Sequence, residues 1–214
     1  MAVINIATFN TSLSNIETSC SAISTCMSNI ESNFFSAMEG IWNSTRAHQD
    51  MTKVLATVNS LVDSINKSLF SNGGQSAIEA LRATANSIAQ SELGASVNEL
   101  SAVTVSEVQL NWSGLEDGYN YPDTDFNLQE FASDTIINEL TNVVNELSNI
   151  NGYMSSIETS LGTSYVGNAI SAISSTISKI TGEEGIVSIK NEINSMTEVC
   201  DNERKLKQLE ISGE

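Results

Sequence analysis

A chain of 214 residues, 40% of them hydrophobic, is long enough to bury a substantial core as one domain or two small ones. Nine Lys and Arg stand against 26 Asp and Glu, a formal charge of −17 that repels nucleic acid and anionic membrane and excludes both as primary partners. The acids are spread along the chain rather than gathered in a tail, so they read as a solvated surface.

The first element is a helix. Phe9, Leu13, Ile16, Cys20, Ile23, Met27, Ile30, Phe34, Ala37 and Ile41 recur at intervals of four and three, the apolar stripe of a helix that packs lengthwise on other helices. The residues between them are Ser, Thr, Asn and Glu, so the far face is wet and the segment is not a membrane span. Cys20 and Cys26 lie about 240° apart around such a helix, point to different faces and are expected to stay unbridged. Cys200 is remote in sequence, and three cysteines cannot all pair within one chain.

After Trp42-Asn43-Ser44 a second stripe runs through Met51, Leu55, Val58, Val62, Ile65 and Leu69, which predicts an antiparallel helical hairpin over residues 1–72. Ser71-Asn72-Gly73-Gly74 ends it and opens an insert over 73–127. Its first piece is a short helix carrying Ile78, Leu81, Ala85 and Ile88 on one face. From Ala102 to Trp112 the pattern changes to near alternation, so a small strand or β-hairpin is expected there. Leu115–Phe126, with Gly118 and the single proline Pro122, reads as an acidic loop.

Helical spacing resumes over 128–210. Ile136, Leu140, Val143, Leu147, Ile150, Met154, Ile157 and Leu161 form another unbroken stripe. Tyr165-Val166-Gly167 bends or interrupts it, and Val166, Ile170, Ile173, Ile177 and Ile180 follow. Gly182-Glu183-Glu184-Gly185 is a break before a last helix lined by Ile186, Ile189, Ile193, Met196 and Cys200, with a charged tail from Asp201 expected to fray. The two halves also match locally: Met27-Ser28-Asn29-Ile30-Glu31 aligns with Met154-Ser155-Ser156-Ile157-Glu158, Gly40 with Gly167 and Ser44 with Ser171. The expected fold is all-α, with long antiparallel hairpins closing as a four-helix bundle around their apolar seams and a small irregular insert.

The turn at Trp42-Asn43-Ser44, followed by Ala47 and set between two long amphipathic helices, resembles the WXG family of helical-hairpin proteins exported through type VII secretion systems. Ser44 departs from the family's preferred glycine. Tyr165-Val166-Gly167 followed by Ala169 is similar to a degenerate second copy of the motif. Trp112-Ser113-Gly114 also spells Trp-x-Gly but lies outside any predicted hairpin and carries no weight. The resemblance implies an export tag made of a tyrosine with an acid four residues on, a spacing found at Tyr119 with Asp123 and at Tyr121 with Asp125. It further implies a secretion machine as partner.

Catalysis finds no support. The single histidine, His48, has no Cys, Asp or Glu at triad or ligand spacing, adjacent Glu183 and Glu184 diverge on a helix, and no phosphate loop or dinucleotide fingerprint occurs. Asp123, Asp125, Asn127 and Asp134 are spaced like the ends of a calcium loop, but Leu128 takes the place of the required glycine and Asp134 that of the bidentate glutamate. No metal or cofactor is expected. No basic leader with an apolar core and cleavage site is visible, which points to secretion without a cleaved signal peptide or to membership of an assembled particle. The expected function is non-enzymatic, through a protein partner or self-association along helical faces. The alternative is a structural subunit of a phage, tail-like or filamentous assembly.

Overall fold

The structure is a computed structural model describing residues 6–38, 45–70, 76–88, 105–112, 128–161 and 166–212. Its helices are α1 (Ile6–Met38), α2 (Thr45–Leu69), α3 (Ala77–Ile88), α4 (Leu128–Leu161), α5 (Gly167–Thr181) and α6 (Ile186–Ser212), and no strand occurs among the described residues. The protein is an all-α bundle. The stripe of α1 from Phe9 to Phe34 is buried at every position, as is that of α4 from Ile136 to Ile157.

Polar contacts between helices set their directions. Asn29 Nδ2 donates to Glu139 Oε1 over 3.1 Å, and Cys26 faces both Glu139 and Glu146, so α1 runs antiparallel to α4. Lys53 pairs with Glu192 at 3.3 Å while Ser195 Oγ donates to Asp50 Oδ2 over 3.0 Å, which makes α2 antiparallel to α6. Further along α2, Lys179 Nζ donates to Ser60 Oγ and Ser64 Oγ, each over 2.8 Å, placing α5 on the same flank. α5 and α6 therefore lie end to end, as one rod broken at Gly182–Gly185. Asn151 Nδ2 donates to Ser174 Oγ over 3.0 Å and Glu158 accepts from the Val166 amide over 2.9 Å, so this rod runs antiparallel to α4 as well. Four rods result: α1, α2, α4 and α5–α6.

This arrangement explains the insert. α2 and α4 both run antiparallel to the α5–α6 rod, so the chain leaves α2 at one end of the bundle and must begin α4 at the other. With α4 about 50 Å long, a tight turn cannot make that connection. Residues 70–127 are the crossover. Ser76 caps α3, its Oγ accepting the Glu79 amide over 3.3 Å, and Ala77, Ile78 and Leu81 are buried.

Several expectations are corrected by the packing. In α2, Val54 and Leu61 are buried beside the predicted stripe while Leu55 is half-buried. In α5 the buried set is Ala169, Ile173, Thr176 and Ile180, with Ile170 and Ile177 half-buried. Both helices face more than one neighbour, so a single stripe underdescribes them. The tail does not fray at Asp201: α6 continues to Ser212 and leaves Leu206, Leu209 and Ile211 exposed. The hydroxyls of the wet faces are occupied locally, as where Thr11, Thr18 and Thr25 donate to the carbonyls of Ala7, Ser14 and Ser21.

Candidate functional site

The residues singled out in sequence fall mostly outside the described ones. Trp42, Ser44, Tyr165, Tyr119, Tyr121, Asp123, Asp125 and Asn127 all lie there. Gly167 is the first residue of α5, entered through Val166 with φ −112° and ψ 8°. Asp134 is exposed on α4, and Leu128 begins that helix, so the stretch 128–134 is helical rather than a loop. Among the described residues no group of His, Cys, Asp and Glu is placed to hold a metal ion.

The site that the described residues do assemble lies between α1 and α2, which do not pack lengthwise on each other as the predicted hairpin had them: α1 lies on α4, and α2 on the α5–α6 rod. The site's occupant is the segment 105–112, part of the stretch that the sequence predicts as a strand or hairpin, which instead lies along α2 as an irregular strap. Among the described residues there is no strand beside it to pair with. Asn66 of α2 stands in for one: its Oδ1 accepts the Val108 amide over 2.9 Å and its Nδ2 donates to the Val108 carbonyl over 2.8 Å. Both backbone groups of Val108, itself buried, are satisfied by one carboxamide.

Two turns back along α2, Asn59 Oδ1 accepts the Trp112 indole N–H over 2.9 Å. The other edge of the site is α1, where the Phe34 ring meets Trp112 at a centroid distance of 5.4 Å and an interplanar angle of 84°. Such an edge-to-face pair sets the positive rim of one ring against the negative face of the other. Trp112 is thus the functional-looking aromatic that sequence reasoning set aside. The signal available for it was the alternation Val108, Leu110, Trp112, with Asn59 and Asn66 seven apart on one face of α2.

The groups with shifted pKa values lie apart from this site and are structural. Lys53 has its pKa raised by its hydrogen bonds to Asp50 and Glu192. Burial, aided by the charge of Glu17, pushes the Cys20 thiol up to about 12, and burial with the Glu139 carboxylate does the same for Cys26. Both cysteines are free, as their spacing implied, and both are buried. Neither is a nucleophile at neutral pH.

A stability term follows with a definite sign. A thiol kept protonated to about 12 in the folded chain ionises near 9 once unfolded, so unfolding releases protons in that window. The contribution is complete below pH 9 and is lost as pH rises towards 12. In a Cys200→Ser background, Ellman's reagent is expected to leave Cys20 and Cys26 unmodified at pH 8 and to titrate both in urea. Rapid native labelling would mean that the thiols are exposed.

Comparison of the chain with models of known protein families, with curated proteins and with solved structures returns no match to any of them. No helix among the described residues is long and apolar enough to cross a membrane.

Proposed function

We propose that this chain is a non-enzymatic interaction protein of WXG-like character, exported by or associated with a type VII-like secretion system. The observation that supports this reading is the helical frame around the turn motif. α1 ends at Met38 and α2 begins at Thr45, so Trp42-Asn43-Ser44 falls in a short connection between two long helices whose apolar faces are buried within the chain. That is the context in which a short aromatic turn motif has value, since a large ring there covers the open end of the helix pair. The buried seams leave wet Ser, Thr and Asn faces for contact with a partner.

The test is export. In a bacterium with a type VII system, the full-length protein is expected in the culture medium of the parent strain and not in that of a strain lacking the system's ATPase. Trp42→Ala should reduce the exported fraction at least about 10-fold while the cytoplasmic pool stays folded and helical. Equal export with and without the ATPase would end the proposal.

A second reading, a structural subunit of a phage, tail-like or filamentous assembly, is favoured by one feature. Leu206 and Leu209 expose 61% and 48% of their surface on one face of the last turns of α6, and Ile211 exposes 80% on another, apolar surface of the kind that self-association covers. Growth into large species with concentration in light scattering would put this reading first.

A further inference from the structure

The strap 105–112 differs from the rest of the fold in how it is held. Helices α1, α2 and α4 bury continuous stripes, whereas the strap inserts one buried side chain, Val108, with Val105, Leu110 and Trp112 half-buried beside it. Its backbone tie to α2 is the carboxamide of Asn66, which recognises main-chain atoms and is indifferent to the side chain they carry. Its aromatic end sits against Phe34 and Asn59. The strap advances from Asn66 to Asn59, about 10 Å along the helix, in four residues, a distance that an extended chain of about 13 Å spans, so the strap runs antiparallel to α2.

A main-chain clamp, an apolar slot and an aromatic seat at alternate positions are the parts with which proteins bind extended peptides. We propose that the site between α1 and α2 is a peptide-binding groove and that residues 105–112 are its built-in occupant, a latch displaced by an extended partner segment of the pattern apolar-x-apolar-x-aromatic lying antiparallel to α2. This rests on the reading of the chain as an interaction protein and not on export, and a binding assay in solution keeps the two separable.

Segments with few buried side chains open at lower free energy than a packed core. A tethered occupant acts at an effective concentration on the order of 1 mM, so it suppresses binding of the same sequence in trans without closing the groove permanently. The probe is a fluorescein-labelled peptide with the sequence of residues 104–113, Thr-Val-Ser-Glu-Val-Gln-Leu-Asn-Trp-Ser, followed by anisotropy against the full chain. The full-length V108S/W112A variant, its own latch weakened, is expected to bind the peptide at least about 10-fold more tightly than wild type does. Adding Asn66→Ala should abolish that gain, and a peptide with serine in place of its valine at 108 and tryptophan at 112 should not bind.

Absence of binding to a V108S/W112A protein that keeps its helical circular dichroism would overturn the proposal, as would equal binding to that variant and to wild type. Should the variant fail to fold, hydrogen exchange on the wild-type chain decides. The Val108 amide is expected to exchange at least about 100-fold faster than core amides such as those of Ile65 and Leu147, at a rate insensitive to low urea, because the strap opens locally. Exchange of Val108 only through global unfolding would show the strap to be a permanent part of the core.

Discussion

Ile30→Ala and Ile157→Ala are each expected to lower the free energy of unfolding by about 2–5 kcal/mol, read as a fall in the urea midpoint at unchanged slope. The two residues are 0% and 2% exposed and lie on α1 and α4, the two longest helices of the bundle. The loss has two parts: the transfer free energy of the removed methyl and methylene groups, and the cavity left where rods on both sides prevent collapse. Against the 5–15 kcal/mol typical of a folded domain, either change removes a large share of the stability. A control at Leu209, which is 48% exposed, should move the midpoint by no more than about 0.5 kcal/mol. An unchanged midpoint for Ile30→Ala would place that residue on the wrong face of α1.

Gly185→Ala is the second large effect, and its cause is the backbone. Gly185 lies buried in the break of the α5–α6 rod, where its amide donates to the Gly182 carbonyl over 3.1 Å and its own carbonyl accepts the first intrahelical bond of α6, from Ile189 over 3.0 Å. A methyl group there would run into the carbonyl oxygen of Ile180 and come within 2.5 Å of that of Lys179. These are atoms of the last turn of α5, which cannot rotate aside as a side chain can. Relief requires α5 and α6 to shift relative to each other, and α2 grips both, through Ser60 and Ser64 on one and through Asp50 and Lys53 on the other. The cost is expected at or above the top of the usual 1–3 kcal/mol range for overpacking, roughly a 6–12 °C fall in Tm for a chain of this length. Gly152, around which a Cβ would meet nothing within 4 Å, is the matched control, and its replacement by alanine on an exposed helical face should stabilise slightly. Equal Tm values for the two variants would mean that the break is not closed as described.

The helices were legible because their signal is local. Phe9 to Phe34 and Ile136 to Ile157 repeat at the helical period with no polar interruption, and each helix can be read without knowing its neighbour. The glycines at 182 and 185 likewise marked the break in the last rod. Where a helix touches two partners the reading was incomplete: α2 packs on α5 and α6, and α5 on α2 and α4, and Val54 and Leu61 on α2 and Ala169 on α5 are buried off the one stripe that periodicity reveals. The strap was misread for a related reason. Alternation over Val103 to Trp112 signals an extended segment with one buried side, and a strand is the usual way to satisfy such a backbone, but here the partner is a side chain, Asn66, 42 residues away. For the same reason Trp112 carried no weight in sequence, since its seat is built by Phe34 and Asn59 from two other elements.

The sequence by itself determined the class of the protein: a strongly acidic, all-α chain whose long helices each bury an apolar stripe and keep a wet hydroxyl-rich face, because period and polarity are properties of neighbouring residues. Only the tertiary structure decided which helix lies against which, that α5 and α6 form one rod, and why residues 70–127 exist. These depend on contacts between residues far apart in the chain. A helix 50 Å long separates its two ends by more than any tight turn can span, so antiparallel packing of both α2 and α4 on a common rod requires a crossover, and the strap lies on that path.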